Sequence, residues 1–167
     1  TALLDVLQDM GANLVIEPHE EEVREPAGTI TARSSTLKAT EVPSDKVPNC
    51  IDEIPVMAVA MSFAEGISVI HGVEELRYKE SDRLMAISAL LERAGISHSI
   101  EEDALTIYGS PQHKPKGTRF KSYNDHRMAM AAAIMALRCS SDSLIEQGEA
   151  ASISYPSFWD DMTAVSH

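Results

Sequence analysis

Apolar and polar residues in the first half of the chain change between helical and strand-like spacing. Apolar side chains that recur every three or four residues predict amphipathic helices, and strict alternation predicts half-buried strands. The first helix stops at Gly11, a typical terminating residue. The elements predicted in this half are a helix over 3–11, strands over 13–17, 28–33 and 36–42, a helix over 54–64 and a strand over 67–71. The first two strands are expected to pair as a hairpin, and so are the corresponding strands of the second half, over 97–101 and 104–108.

The second half repeats the same order of elements. A helix ends at Gly95 in the way that the first helix ends at Gly11. The elements predicted in this half are a helix over 84–95, strands over 97–101, 104–108 and 119–122, a helix over 128–137 and a strand over 143–145. This weak internal repeat predicts a fold built from copies of one unit, joined by short linkers.

The helices over 54–64 and 128–137 are apolar on nearly every side. Such helices are buried rather than laid on a surface, and both are too short to span a bilayer. The helix over 84–95 instead has a single apolar stripe, formed by Leu84, Ile87, Leu91 and Ala94. The pattern therefore predicts an α/β (α+β) fold with helices packed inside and sheets outside.

The amino-acid composition limits the binding partners and the cellular compartment that are expected for this chain. The chain has 167 residues and a formal net charge of −12, which argues against nucleic acid and anionic membrane surfaces as partners. Its two cysteines, Cys50 and Cys139, have no metal-type spacing, and a reducing, cytoplasmic location is predicted. The run from His19 to Glu22 is typical of a solvated loop, so no metal site is expected.

Residues 77–83 place positive side chains just before a predicted helix. Cations at a helix N-terminus are unfavourable by about 0.3–1 kcal/mol, and a bound anion reverses this. Lys79 and Arg83 are four residues apart, so both are predicted to reach one patch of helix surface. Glu80 lies in line with the apolar stripe and is predicted to head it, partly desolvated. The alternative is an exposed turn with weak local ion pairs.

A second polar segment, residues 124–127, precedes the second apolar helix. Asn124 or Asp125 is a good N-cap, and Asp125 needs no role beyond that. His126 beside an N-cap is typical of a packing or hydrogen-bonding residue. Arg127 cannot lose its charge, so it requires a carboxylate partner or an anionic ligand.

Asp52 precedes the first apolar helix and has two possible roles. It is either an N-cap or a catalytic base, with its carboxylate at the mouth of a cleft. If the units pack in parallel, the helix starts at Asp52, 79–83 and 126–127 converge on one surface. Acid, base and anion-binding groups then share a site suited to transfer chemistry on a phosphorylated or carboxylated substrate.

Several motifs occur in the order found in one enzyme family. They are Asp52-Glu53-Ile54-Pro55, ELRYKESDR from Glu75, DHRMAM from Asp125, SYPSF from Ser154 and, less specifically, RSSTLK from Arg33. Together they resemble the C-terminal part of the 5-enolpyruvylshikimate-3-phosphate synthase family. The resemblance covers essentially the whole chain, and the combination is highly specific although no single motif is.

The resemblance implies two similar domains, each made of three βαβαββ units, with helix N-termini facing a cleft between them. It implies transfer of the enolpyruvyl group from phosphoenolpyruvate to the 5-hydroxyl of shikimate 3-phosphate, through a tetrahedral adduct and without a cofactor. Phosphate is released, and the step belongs to the shikimate pathway to aromatic amino acids. Residues 1–167 are expected to supply the C-terminal portion of one domain, about two units.

Matching positions carry the family's site residues onto this chain. The implied catalytic groups are Asp52 as proton acceptor, Glu80 as proton donor to the methylene carbon, and His126 in support. The implied substrate-binding residues are Asp52, Glu75, Lys79, Arg83 and Arg127. Of these, Arg83 and Arg127 hold phosphoenolpyruvate, and Lys79 touches both substrates.

Two departures from the family pattern limit what the resemblance implies. Ile153 stands where some members have a further lysine that binds phosphoenolpyruvate. The N-terminal half of the family's length, with most of the shikimate 3-phosphate site, has no counterpart in this sequence, so the chain alone is expected to be inactive. Two alternatives stay open: an enolpyruvyl transferase that acts on a UDP-sugar, and a non-catalytic anion-binding scaffold.

Overall fold

Helices and strands alternate along the chain. The structure is a computed structural model that describes residues 2–19 and 27–165, so Glu20 to Glu22 of the predicted solvated loop lie outside it. The α-helices are α1 Ala2–Asp9, α2 Ile54–Ser62, α3 Arg83–Arg93, α4 His126–Ala136 and α5 Phe158–Val165. The β-strands are β1 Asn13–Pro18, β2 Gly28–Arg33, β3 Glu41–Val42, β4 Gly66–His71, β5 His98–Glu101, β6 Ala104–Gly109, β7 Arg119–Lys121 and β8 Leu144–Glu146. Helices α1 to α4 match the predicted helices within two residues at each end, whereas α5 was not predicted.

Gly11 and Gly95 end α1 and α3, as the sequence predicts. Both adopt the left-handed backbone conformation, with φ of +84° and +71°. Their N–H groups donate back to the carbonyls of Gln8 and Glu92. Because a side chain is strained at such φ values, glycine sets the point at which each helix gives way to the following hairpin.

The strands of the described residues form three separate sheets. β1 and β2 pair as an antiparallel hairpin, and β5 and β6 pair in the same way, so both predicted hairpins are confirmed. β6 also pairs antiparallel with β4, which lies parallel to β3, and the order is β3-β4-β6-β5. β7 and β8 form a short parallel pair.

The strand predicted over residues 36–42 is mostly absent. Only Glu41–Val42 belong to a strand, and Lys38 forms an isolated bridge with Glu65. The N–H of Lys38 donates to the carbonyl of Met10 at the end of α1, not to a neighbouring strand. Because the backbone of this segment divides its hydrogen bonds between a helix end and a sheet edge, it forms no continuous ladder.

α2 and α4 lie in the interior, as their all-round apolar pattern predicts. Met57 and Met61 of α2 and Met128 and Ala131 of α4 are fully buried, and the two helices pack on each other. The predicted stripe of α3 is buried as well, and its members are Leu84, Ile87, Leu91 and Ala94. The predicted fold class, α/β with helices inside and sheets outside, is confirmed. No helix in residues 2–19 and 27–165 is long and apolar enough to cross a membrane.

The β1–β2 hairpin has little contact with this core. The register places Leu14, Ile16, Ile30 and Ala32 on one face, yet Ile16 and Ile30 are 43% and 52% exposed. A two-stranded sheet on its own is marginally stable in water. The hairpin therefore presents an apolar face that no other described part of the chain covers fully.

An apolar groove of about 550 Å³ opens between α1, α2 and α4. The side chains that line it include Leu3, Leu7, Val56, Phe63 and Ile134. At one end, the guanidinium of Arg138 lies 4.8 Å from the centre of the Phe63 ring. The groove and the hairpin together leave a considerable apolar surface on this chain in contact with solvent.

Candidate active site

Three polar segments from distant parts of the chain meet beside the N-terminal ends of α2, α3 and α4. The first is a 3₁₀ turn, Ile51–Glu53, directly before α2. The second runs from residue 79 to the start of α3, and the third comprises residues 124–127 at the start of α4. Hydrogen bonds among the side chains of Asp52, Arg83 and Asp125 join all three. The structure therefore brings the predicted helix starts together in one ionic cluster.

Arg83 occupies the centre of the ionic cluster. It is the first residue of α3, and its side chain is 1% exposed. Its Nε donates to Oδ2 of Asp125 at 2.8 Å, its Nη1 to Oδ1 of Asp52 at 2.6 Å, and its Nη2 to Oε2 of Glu80. Burial alone would lower the pKa of Arg83, but the bonds to Asp125 and Asp52 outweigh burial and raise it. The guanidinium is therefore a permanent, fully paired charge.

Asp125 has the N-cap role that the sequence predicts and a second role that it does not. Its Oδ1 accepts the backbone N–H of Arg127 at 2.9 Å and of Met128 at 3.5 Å. Its Oδ2 accepts from Arg83 and, at 3.0 Å, from the hydroxyl of Ser81. Asp125 is fully buried. Burial alone would raise its pKa, but the bond and charge of Arg83 hold the pKa below its usual range.

The backbone just before α4 is strained. Tyr123 and Asn124 both have left-handed conformations, with φ of +56° and +57°, which few residues other than glycine adopt. The N–H of Asn124 is held by Oγ of Ser122 and Oε1 of Gln147, each at 3.1 Å. Strain of this kind, about 1–3 kcal/mol per residue, is concentrated at functional sites. Here it directs the chain into α4 so that Asp125 faces the protein interior.

Asp52 is not the N-cap of α2. That position belongs to Glu53, which makes no side-chain cap bond, whereas Asp52 lies in the 3₁₀ turn with 44% of its side chain exposed. Partial burial alone would raise the pKa of Asp52. The hydrogen bond from Arg83 and the charge of Arg127 outweigh this effect and lower the pKa. Asp52 is therefore ionised, and it is a weak base for as long as both guanidinium groups neutralise it.

Arg127 lies in the first turn of α4 with 31% of its side chain exposed. Its Nη2 is 3.7 Å from Oδ2 of Asp52, and its Nη1 is 3.3 Å from Oε1 of Glu53. Its Nε is buried and has no hydrogen-bond partner among the described residues. An unsatisfied buried donor costs about 1–3 kcal/mol. This N–H thus needs an acceptor, and a ligand can supply one only if the side chain turns toward it.

Glu80 does not head the apolar stripe of α3, contrary to the prediction. The helix begins only at Arg83, because Asp82 is its N-cap and accepts the N–H of Met85 at 3.0 Å. A strong capping residue fixes the helix start more firmly than the apolar period does. Glu80 therefore precedes the helix, and its side chain is 54% exposed on the solvent side of Arg83.

The other predicted residues lie at the rim of the ionic cluster. Lys79 also precedes α3, and its Nζ is 3.5 Å from Oε1 of Glu75. His126 is the first residue of α4 and is half-buried, and nothing in the described part of the chain hydrogen-bonds its ring. Ile153, at the position of the missing lysine, is 72% exposed.

The ionic cluster contains more negative than positive charge. Three cations, Lys79, Arg83 and Arg127, face five carboxylates, those of Asp52, Glu53, Glu75, Glu80 and Asp125. The chain alone is therefore a poor electrostatic trap for a multiply charged anion. Among residues 2–19 and 27–165, no group of three or more His, Cys, Asp and Glu side chains could hold a metal ion.

Sequence reasoning misses some members of the cluster. It does not predict Glu53 or Ser81, and it assigns Asp125 no more than a cap. A signal for Asp125 exists, because an arginine that heads a helix with an apolar stripe needs a carboxylate partner or an anionic ligand. The spacing along the chain does not show which carboxylate it finds.

Comparison with known proteins gives the chain a family. The family model described as EPSP synthase (3-phosphoshikimate 1-carboxyvinyltransferase) matches residues 1–162. The chain belongs to the EPSP synthase family. Two curated relatives named 3-phosphoshikimate 1-carboxyvinyltransferase come from Salinibacter ruber and Bacillus cereus. The first is 43% identical over 99% of this chain and 38% of its own length, and the second is 41% identical over 97% and 37%.

Solved structures of EPSP synthases share the fold. An EPSP synthase from Acinetobacter baumannii superposes with a TM-score of 0.91 at 34% identity, over 99% of this chain and 38% of that one. The enolpyruvyl transferase NikO from Streptomyces tendae has a TM-score of 0.67 at 20% identity, a likeness in fold alone. The resemblance of the sequence motifs is thus confirmed. The chain spans little more than a third of the length of its EPSP synthase relatives.

Proposed function

We propose that this chain is part of a 3-phosphoshikimate 1-carboxyvinyltransferase of the shikimate pathway. The complete enzyme transfers the enolpyruvyl group of phosphoenolpyruvate to the 5-hydroxyl of shikimate 3-phosphate and uses no cofactor. The observation that carries the proposal is the ionic cluster of Asp52, Glu80, Arg83 and Arg127 in a member of this family. We also propose a cytoplasmic location, because unpaired cysteines suit a reducing compartment.

Cations of the ionic cluster bind phosphoenolpyruvate in this proposal. Arg127 offers its unpaired Nε together with Nη groups that are bound only loosely to Asp52 and Glu53. A guanidinium binds carboxylate and phosphate groups through two parallel hydrogen bonds. Lys79, at the rim, contributes a mobile point charge within reach of both substrates. Arg83 binds the same substrate once its solvent-side partners release it.

Asp52 and Glu80 carry out the proton transfers. Glu80 takes up a proton from solvent after Arg83 releases it, and it enters the reaction as a carboxylic acid. In the addition step, the 5-hydroxyl oxygen bonds to C2 of phosphoenolpyruvate, Asp52 accepts the hydroxyl proton, and Glu80 gives its proton to C3. In the elimination step, a C3 proton returns to Glu80 and the bond from C2 to the phosphate oxygen breaks. Phosphate leaves with the electron pair and takes the proton from Asp52, so both carboxylates regain their starting states.

Substrate binding itself makes Asp52 a better base. The charge of Arg83 and of Arg127 keeps the pKa of Asp52 low. When these guanidinium groups turn to the anionic substrate, they neutralise Asp52 less, and its proton affinity rises. His126, beside Arg127, supports the same end of the site.

The remainder of the site comes from the part of the family's length that residues 1–167 do not match. We assign residues 1–167 to the C-terminal portion of one domain, about two βαβαββ units. The negative balance of the ionic cluster supports this assignment, because two anionic substrates require more cations than Lys79, Arg83 and Arg127. The exposed Ile153 supplies none. Further cations and most of the shikimate 3-phosphate site then belong to the N-terminal portion.

Reconstitution tests the proposal. The chain is produced together with the N-terminal portion of the Salinibacter ruber relative that it does not match, and phosphate release is measured. We expect release only when both polypeptides, phosphoenolpyruvate and shikimate 3-phosphate are present. The positive control restores the same N-terminal portion with the relative's own C-terminal portion.

Three outcomes count against the proposal. The first is a pair that stays inactive while the positive control is active. The second is release with a UDP-sugar in place of shikimate 3-phosphate, which favours the alternative transferase. The third is release by the chain without its complement, which contradicts the division of the site between two portions.

A further inference from the structure

Asp125 does more than a helix cap requires. A capping carboxylate needs one or two bonds to the N–H groups of the first turn. Asp82 at α3 accepts one cap bond from Met85 and pairs at 3.4 Å with Arg77, but its side chain is 42% exposed, so neither contact is shut off from water. Asp125 makes its cap bonds with Oδ1, and its Oδ2 accepts from Nε of Arg83 and from the Ser81 hydroxyl. Its Oδ1 also accepts a longer bond, 3.4 Å, from Nη2 of Arg83. It is, moreover, fully buried.

The partners of Arg83 differ in their exposure to solvent. Asp125 reaches it from the interior with 0% of its side chain exposed, whereas Asp52 and Glu80 reach it from the solvent side with 44% and 54% exposed. An arriving anion can displace the outer carboxylates, because they regain water when they are released. It cannot displace Asp125, because a buried charge without a partner is strongly unfavourable.

We propose that Asp125 is a positioning residue for the anionic substrate. It holds the Nε side of Arg83 so that the outer N–H groups can pass from Asp52 and Glu80 to a phosphate or carboxylate of the substrate. Asp125 itself touches no substrate. Through its cap bond to the N–H of Arg127, it also fixes the start of the helix that carries the second arginine. This inference rests on the proposed function.

Asp125→Asn in the reconstituted enzyme tests the inference. Asparagine keeps the shape and the capping ability of aspartate but loses the charge that holds Arg83. Asp82→Asn is the matched control, because it makes the same change at the cap of the neighbouring helix. We expect Asp125→Asn to lower kcat/KM for phosphoenolpyruvate by about 10- to 100-fold and Asp82→Asn by less than about twofold. Equal effects of the two variants overturn the inference.

Arg83→Gln separates positioning from capping. If Asp125 acts through Arg83, then Asp125→Asn lowers kcat/KM by less than about twofold once Arg83 is replaced. A purely structural cap lowers it by the same factor in both backgrounds, and that result overturns the inference. An Arg83→Gln enzyme with unchanged kcat/KM for phosphoenolpyruvate overturns it as well.

A second measurement does not depend on catalysis. The side-chain Nε–H of Arg83 is followed by NMR in the reconstituted protein, together with its exchange with solvent. We expect slow exchange in the unaltered protein and in Asp82→Asn, and fast exchange in Asp125→Asn. Slow exchange that survives Asp125→Asn overturns the inference. If Asp125 protects the Nε–H of Arg83 as expected, but phosphate is released only by the positive control and not by the pair that contains this chain, the proposed function fails and the inference about Asp125 does not.

Discussion

At the scale of single residues, a buried charge requires oppositely charged partners beside it. Arg83 is buried and bound by Asp125, Asp52 and Glu80. Removing one partner of a buried ion pair costs about 3–5 kcal/mol, whereas an exposed pair such as Lys79 and Glu75 contributes at most about 1 kcal/mol. The ion pairs at the centre of the ionic cluster are thus strong and those at its rim are weak. Groups of a ligand can therefore replace the carboxylates at the rim.

Arg127→Ala in the complete enzyme is expected to weaken the binding of phosphoenolpyruvate by about 1.5–3 kcal/mol, the usual contribution of a charge-assisted hydrogen bond. Calorimetric titration measures the change. Arg138→Ala is the control, because Arg138 lies beyond the far end of α4, stacked on Phe63. An affinity that is the same in both variants removes Arg127 from the proposed site.

Asp125 makes the stability of the protein depend on pH. Burial alone would raise its pKa, but Arg83 holds the pKa below its usual range, while the unfolded value is about 3.9. The stabilisation is therefore complete above about pH 4 and is lost as the pH falls through the folded-state pKa. We expect the free energy of unfolding to fall more steeply below about pH 4 in the unaltered protein than in Asp125→Asn. Urea unfolding followed by the fluorescence of Trp159 measures both slopes, and equal slopes contradict the expectation.

Sequence motifs identify the charged residues of the site but not how they pair. Asp52 and Arg83 are 31 residues apart, Arg83 and Asp125 are 42 apart, and Glu53 and Arg127 are 74 apart. Such pairs form only when the fold brings the segments together. The motif positions of Asp52, Arg83 and Arg127 were therefore predictable, whereas the anchoring by Asp125 was not.

At the scale of elements, a helix that is surrounded by apolar residues on all sides has a sequence pattern that is easy to interpret. α2 and α4 were predictable because nearly every side of each helix meets the apolar core. The short β3 and the position of Glu80 before α3 were not, because distant backbone groups and the cap residue Asp82 decide where those elements begin. Local pattern thus predicts the interior of an element better than its ends.

Leu91→Ala is expected to lower the free energy of unfolding by about 2–5 kcal/mol, because it opens a cavity in the buried stripe of α3. Leu91 is fully buried, whereas Met85 on the same helix is 51% exposed. Met85→Ala is the matched control, with an expected change within about 0.5 kcal/mol. Urea unfolding compares the two variants, and a similar loss in both speaks against the burial of this stripe.

At the scale of the whole molecule, the described residues leave two apolar surfaces exposed. The apolar face of the β1–β2 hairpin and the groove between α1, α2 and α4 both lie open. Apolar patches of this kind promote association, and the free edges of a hairpin offer unpaired backbone groups. The N-terminal portion of the enzyme is expected to cover both, in addition to completing the active site.

Without its complement, the chain is expected to self-associate, and Ile30→Lys is expected to reduce this association by placing a charge on the apolar face of the hairpin. Sedimentation velocity over a series of concentrations measures it. Thr31→Lys is the control, because the register directs residue 31 to the opposite face. A reduction by Thr31→Lys alone assigns the association to the opposite face of the hairpin, and a chain that stays monomeric contradicts the expectation.

The left-handed pair Tyr123 and Asn124 has a consequence for protein engineering. Glycine at position 123 relieves backbone strain of about 1–3 kcal/mol and is an obvious choice for a more heat-resistant enzyme. We expect the same glycine to give more conformational freedom to the backbone that precedes Asp125 and Arg127, so that a gain in thermal stability is accompanied by a loss of turnover. Stabilising substitutions in this family are therefore better placed outside the left-handed segment of Tyr123 and Asn124.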